Sequence, residues 1–212
     1  MRILLVDDHL LFSRGLQFLL LDLNASADCV IASSIAQALS QPGPFDLILL
    51  DYALPDSQGS QGLVRVRAAH EGVPVVMLSG ETRMQLVSDL VEQGAAGFIS
   101  KSSDTEVLLA ALRTVMNGGI YLPRQILSVP SPASAAELSK LSPRQIQVVL
   151  KIMLGKTNKL IASELLLTEN TVKSHLAAAF RTLGVTSRAQ AVFKAASLGL
   201  MPPPADTQFQ PD

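Results

Sequence analysis

Cysteine is almost absent: Cys29 stands alone in 212 residues, so no internal disulfide can form and the core has to hold the fold. Its thiol reads as a small buried apolar group. The chain also lacks any run approaching the roughly 18 uninterrupted apolar residues that cross a bilayer. Its start, Met1-Arg2 followed by four apolar residues and two aspartates, is too short and too soon charged for a signal peptide. No Cys/His set is spaced for zinc, and no glycine-rich loop follows the first apolar run, where Asp7-Asp8-His9-Leu10 stands instead. A membrane protein, a disulfide scaffold, a zinc protein and a nucleotide-binding loop are thereby set aside, and a reducing cytoplasm is the expected compartment.

What is present divides in two. The apolar content of 48% supports well-filled cores, and the net charge of −1 conceals a split. Residues 1–138 carry 8 Lys/Arg against 14 Asp/Glu, a balance of −6, whereas residues 139–200 carry 9 against 2, a balance of +7. Only the second part is suited to face a polyanion. Gly118-Gly119 stop the last helix of the first part, and a Pro/Ser/Ala-rich stretch follows. The expected organisation is a domain over 1–121, a linker over 122–138, a helical domain over 139–201 and a disordered tail over 202–212.

In the first part, short apolar runs (3–6, 29–32, 47–50, 75–78, 98–99) alternate with helix-forming segments such as 10–21, 62–69, 83–93 and 104–117. This is the pattern of a doubly wound α/β domain with a five-stranded parallel sheet. Asp7 and Asp8 follow the first strand, Asp51 the third, Ser79 the fourth and Lys101 the fifth. In a parallel sheet these ends share one edge, where open α/β sheets bind ligands. Three carboxylates together need a counter-charge, and Mg2+, an oxygen-seeking ion held by one or two carboxylates plus phosphate, suits this inventory. One carboxylate then serves as nucleophile toward a phosphoryl group, with Lys101 and the metal stabilising the transferred oxygens and Ser79 donating to one of them.

The stretches Leu5-Val6-Asp7-Asp8, Leu50-Asp51-Tyr52-Ala53-Leu54-Pro55, Met77-Leu78-Ser79-Gly80 and Gly97-Phe98-Ile99-Ser100-Lys101 resemble the receiver domain of two-component response regulators. The resemblance implies a flavodoxin-like fold with Asp51 as phosphoacceptor. It implies Asp8, Asp51 and the backbone carbonyl of Ala53 as direct Mg2+ ligands, and Asp7 acting through a metal-bound water. Lys101 pairs with the phosphate, Ser79 is the switch hydroxyl and Phe98 the switch aromatic. This sequence departs from the family in the stretch from Pro55 to Gly62, which lacks the usual acid before its glycine, and in Ser102, where many receivers have proline. Ala53 and Glu81 occupy the positions that tune dephosphorylation.

Residues 139–200 read as four helices over 143–154, 158–165, 169–183 and 188–198, started by Ser142 before Pro143, by Thr168 and by Ser187. A short turn, Leu166-Leu167, joins the second and third as in a helix-turn-helix. On the third, Val172, Leu176 and Leu183 face inward, while Asn170, Lys173, Ser174, Ala177 and Arg181 share another face that fits a DNA major groove. The motifs Leu141-Ser142-Pro143-Arg144, Gly155-Lys156-Thr157-Asn158-Lys159-Leu160-Ile161-Ala162, Thr171-Val172-Lys173-Ser174-His175 and Leu183-Gly184-Val185 resemble the LuxR-type helix-turn-helix. By that resemblance Lys173 and Ser174 face bases, and Asn158, Lys159, Thr171 and His175 lie at the phosphate backbone; His175 also fits a half-buried packing role. Arg181 joins the DNA-binding set. Gln145 stands where glutamate is common, and Ala177 where some members place a further basic contact.

An acidic receiver joined to such a domain resembles the NarL/FixJ-type response regulators. The resemblance implies a transcriptional regulator rather than an enzyme, with double-stranded DNA, a sensor histidine kinase and a second copy of the chain after phosphorylation as its partners, and no membrane. The alternative is a regulator that ignores phosphorylation and whose receiver senses a protein or ligand. The charge contrast also suggests that the receiver covers the third helix.

Overall fold

Residues 2–6, 47–51, 75–79 and 97–100 bury nearly all their side chains, residues 28–32 form a partly exposed edge strand, and the five pair in parallel in a computed structural model. The structure describes residues 1–57, 59–123 and 138–202. Most of the proposed linker and nearly all of the proposed tail lie outside those residues, as does Gln58 of the loop after Asp51. Strands β1 (Arg2–Val6), β2 (Asp28–Ala32), β3 (Leu47–Asp51), β4 (Val75–Ser79) and β5 (Gly97–Ser100) run in the order β2-β1-β3-β4-β5.

Alternation along the strands builds two core layers. Ile3, Leu5, Leu47, Leu49, Val76, Leu78 and Ile99 face α1 (Leu10–Leu23) and α5 (Thr105–Met116). Leu4, Val6, Ile48, Leu50, Met77 and Phe98 face α2 (Ile35–Ser40), α3 (Gln61–Ala69) and α4 (Met84–Glu92). Burial on both faces is why the strands read as continuous apolar runs rather than as polar-apolar alternation. At about 25 cal/mol per Å2 of apolar surface, each fully buried Leu or Ile contributes about 1.5–3 kcal/mol. The chain reverses direction across the sheet between β1 and β3, so the crevice that opens at their carboxyl ends is the topological switch point.

The second unit comprises α6 (Pro143–Met153), α7 (Asn158–Glu164), α8 (Glu169–Leu183) and α9 (Arg188–Ser197). Its helix starts are specified locally. Ser142, Thr168 and Ser187 each accept the backbone N–H three residues on, with reciprocal capping boxes to Gln145 and Gln190, and Thr157 caps α7 in the same way. Gln145 therefore performs the cap role that a glutamate would. Gly184 ends α8 in the left-handed region, with φ 69°.

The two units touch through α9 and α4. Gln190 Nε2 donates to the Glu92 carbonyl at 2.9 Å, and the apolar cluster is continuous across both units. The receiver does not cover the third helix of the C-terminal unit, as the charge contrast had suggested. Lys173, Ser174, Ala177 and Arg181 on α8 are exposed.

Candidate functional site

The carboxyl ends of β1, β3, β4 and β5 bring Asp7, Asp51, Ser79 and Lys101 to one crevice. Asp7, Asp51 and Ser79 are buried, at 1%, 3% and 3% exposure, and Asp8 is open to solvent. Lys101 Nζ lies 2.7 Å from Asp7 Oδ2 and 2.7 Å from Asp51 Oδ2, and 5.0 Å above the ring of Phe12. Asp51 Oδ1 accepts the Ala53 amide at 3.3 Å, and Asp7 Oδ1 accepts the His9 amide at 2.8 Å. Ser79 Oγ accepts the Glu81 amide at 3.0 Å, which leaves its own proton available for donation. Phe98 is wholly buried below the site.

Burial pushes the Asp51 carboxyl above the usual carboxylate range; the neighbouring Asp7 charge adds to this, and Lys101 and the Ala53 amide oppose it. Three carboxylates there face a single lysine. Asp7 Oδ2 and Asp51 Oδ2 meet Lys101 as ion-pair contacts, yet neither buried oxygen receives an aligned hydrogen bond. Asp7, Asp8, His9 and Asp51 each offer a donor atom, all within 4.8 Å of one another. Carboxylate oxygens gathered in one crevice, outnumbering its single ammonium, fit a hard divalent cation.

The sequence-predicted DNA residues lie on α7 and α8. Lys159, Lys173, Ser174 and Arg181 are exposed, and Thr171 and His175 are half-buried. Ser174 Oγ donates back to the Asn170 carbonyl at 3.0 Å, and Thr171 Oγ1 shares a 2.8 Å hydrogen bond with the capping Thr168. Asn158 is half-buried and its Oδ1 accepts from Arg188 Nη1 at 2.8 Å. Lys151 and Lys156 are turned toward Glu164, Lys151 Nζ at 2.5 Å from Oε2, and these two ammonium groups hold the Glu164 carboxyl below its usual range.

Residues 3–113 match the response regulator receiver domain, and residues 139–195 match the bacterial regulatory proteins of the luxR family. The chain is a LuxR-type response regulator. Across 211 residues it is 32% identical to the glycerol metabolism activator of Pseudomonas putida, covering 93% of this chain and 96% of that one. It is also 32% identical to the transcriptional activator protein ExaE of the same organism, covering 95% and 98%. A LuxR family DNA-binding response regulator from Silicibacter pomeroyi superposes with a TM-score of 0.52 at 35% identity, over 59% of this chain and 98% of that one. A LuxR-type response regulator acts in transcription through its DNA-binding helix-turn-helix, and receiver domains bind Mg2+ through acidic residues of the kind gathered here. No helix among the described residues is long and apolar enough to cross a membrane.

Three members of the response regulator's two sites were not singled out from sequence. His9 places its imidazole Nδ1 2.9 Å from Asp8 Oδ1; its position directly after the acidic pair was the available signal. Asp56 lies in the loop that departs from the receiver pattern, and its two carboxylate oxygens accept the Ile35 and Ala36 amides at 3.0 and 2.9 Å. Burial alone would raise Asp56, but these amides outweigh it and hold the carboxyl low. Gly62 lets this loop close on α3: a Cβ there would come within 2.9 Å of Ser57 Oγ. Arg188, at the start of α9, is largely internal. Its guanidinium binds Asn158 and the Lys156 carbonyl, and burial lowers its pKa to about 10.

Proposed function

We propose that this response regulator is phosphorylated on Asp51 and that phosphorylation converts it into a dimeric binder of promoter DNA. The observation that carries the reading is the convergence of Asp7, Asp8, Asp51 and Lys101 at the switch point of the sheet, in a chain whose basic α8 face stands exposed. Asp51 is the only one of the three carboxylates at the end of β3, central in the sheet, with an amide on one oxygen and an ammonium on the other. An Asp51 oxygen attacks phosphorus as the P–N bond to a sensor kinase's phosphohistidine breaks, or the P–O bond of a small acyl phosphate. Lys101 meets the charge on the transferred oxygens. Asp8, Asp51 and the backbone carbonyl of Ala53 would hold Mg2+, with Asp7 acting through water. The ion, when bound, offsets the negative charge of phosphate against the carboxylates. The receiver thus promotes only its own phosphorylation and dephosphorylation.

Once phosphate is on Asp51, Ser79 turns its free hydroxyl proton to a phosphate oxygen, and Phe98 follows. Because α4 begins five residues beyond Ser79 and touches α9, a change there biases how the helix-turn-helix unit is held. On DNA, Lys173 and Ser174 reach base edges, and Asn158, Lys159, Thr171, His175 and Arg181 hold the backbone. The receiver is assigned to residues 1–121, the DNA-binding domain to 139–201, and the protein to the cytoplasm, where its kinase and promoters are accessible.

The test is DNA binding to the chain's own promoter region with and without a small phosphodonor plus Mg2+, comparing the natural chain with Asp51→Ala. The donor should tighten binding and shift the protein to dimer, and Asp51→Ala should abolish both effects. Equal binding by both proteins under all conditions would refute the reading and favour a receiver that serves another signal.

A further inference from the structure

The donor group at the crevice contains, besides its three carboxylates, one imidazole, that of His9. Backbone and ring both hold it there. His9 is the N-cap residue of α1, its N–H donates to Asp7 Oδ1 at 2.8 Å, and its Nδ1 lies 2.9 Å from Asp8 Oδ1, 3.2 Å from Asp7 Oδ1 and 3.8 Å from Asp51 Oδ2. With the side chain 64% exposed, core filling does not explain this placement.

Ligand spacing does. In an octahedral site with bonds of about 2.0–2.1 Å, neighbouring donors stand about 2.9 Å apart and opposite donors about 4.1 Å apart. The distance from Nδ1 to Asp8 Oδ1 matches neighbouring donors, and the distance to Asp51 Oδ2 falls within the opposite-donor limit. A cation drawn to Asp8 and Asp51 would therefore have the nitrogen beside it, within a small side-chain adjustment of bonding distance. Mg2+ gains little from it, because that ion takes oxygen ligands and keeps its waters, whereas imidazole suits the later first-row divalent ions.

We infer that His9 Nδ1 is a direct ligand when this crevice holds a first-row transition divalent cation, so that the receiver favours such ions over Mg2+ more than its carboxylates alone would. This rests on the divalent-cation site proposed above. If His9 only paired with Asp8, removing it would change the affinity for all divalent ions alike.

The experiment is calorimetric titration of the untagged full-length chain with Ni2+ and, separately, with Mg2+, for the natural sequence, His9→Asn and Asp51→Asn. Asparagine keeps a good helix N-cap, so α1 is retained. The Asp51-dependent Ni2+ affinity should fall at least about tenfold in His9→Asn, as loss of a ligand or its support commonly costs, with Mg2+ affinity changed less than about twofold. An unchanged Ni2+ to Mg2+ ratio overturns the inference while leaving the cation site standing. If Asp51→Asn leaves both titrations as they were, the crevice is not the cation site and the underlying reading falls too.

Discussion

Replacing Lys101 with methionine removes the one ammonium that faces both buried carboxylates. Its Nζ is 2.7 Å from each, so Asp7 Oδ2 and Asp51 Oδ2 are at most about 5.4 Å apart. At an effective dielectric of about 20, each attraction is worth about 6 kcal/mol and the carboxylate repulsion about 3 kcal/mol, so the deletion turns a net attraction into a net repulsion. Solvent relaxation and proton uptake by Asp51 absorb much of this gross change, and loss of one partner from a buried ion pair typically costs about 3–5 kcal/mol. Lys101→Met should therefore unfold in chelator at a urea midpoint corresponding to about 3–5 kcal/mol less stability, read by circular dichroism at neutral pH. It should also gain more from Mg2+ than the natural chain does, because the ion then has no competing ammonium; ligand at 100 times its Kd adds about 2.7 kcal/mol. A loss below about 1 kcal/mol, or equal gains from Mg2+, would refute the view that Lys101 is what holds the carboxylates together without metal.

Asp51 supplies a pH test. Its carboxyl is raised on folding, so the folded state holds the proton more tightly and is favoured as pH falls through the window above the ordinary carboxylate value of about 4; that contribution is lost as pH rises through the folded pKa. In chelator, the stability of the natural chain relative to Asp51→Asn should decline as pH rises above about 4, and a flat or rising difference in urea midpoints would contradict it. Leu166, 93% exposed with φ 53° in the turn between α7 and α8, buries nothing and bears left-handed strain. Leu166→Gly should raise thermal stability by about 1 kcal/mol, net of the entropy that glycine gains unfolded. Arg188→Leu should cost about 2–3 kcal/mol by leaving Asn158 Oδ1 and the Lys156 carbonyl without their donor, and an unchanged melting temperature would show that solvent replaces it.

Much of the fold was legible because burial on both faces of a parallel sheet leaves uninterrupted apolar runs such as Ile3–Val6, with chemistry crowded at their ends. The positions of Asp7, Asp8, Asp51, Ser79 and Lys101 could be read that way because strand direction alone brings them together. Helix starts were legible for the same local reason: Ser142, Thr168 and Ser187 act within three residues of themselves. Contacts between distant residues were not. The six-residue α2 is clamped by Asp56 from 21 residues away, and the loop that looked like a departure from the receiver pattern is what supplies the clamp. Arg188 reads locally as the first residue of a helix, but its partners lie about thirty residues upstream. The contact between units misled most. Opposite net charge draws two domains together without choosing faces, and the face used is set by Gln190 against the Glu92 carbonyl and by apolar packing of α9 on α4.

The charge of the helix-turn-helix unit overstates what it offers to DNA. Of its nine Lys/Arg, Lys151 and Lys156 meet Glu164, Arg188 is spent inside the domain, and Arg144 Nη2 donates to the Leu165 carbonyl at 2.8 Å. On α7 and α8, Lys159, Lys173 and Arg181 are left exposed. Each phosphate neutralised contributes about −0.9 to the slope of log K against log salt, so with Lys173 proposed to face bases, Lys159 and Arg181 should give about −2 for one unit and about −4 for two units on adjacent half-sites. Two such contacts per unit are few for specific binding at cellular salt, which supports the proposed binding as a pair. Fluorescence anisotropy of a promoter duplex across a salt series separates the cases. With phosphodonor the slope should approach about −4, and on the proposed roles, Lys173 toward bases and Lys159 toward the backbone, Lys173→Ala should reduce it by less than Lys159→Ala does. A slope of about −2 with phosphodonor would show that a single unit carries the binding, and a slope steeper than about −8 would show that cations outside α7 and α8 take part.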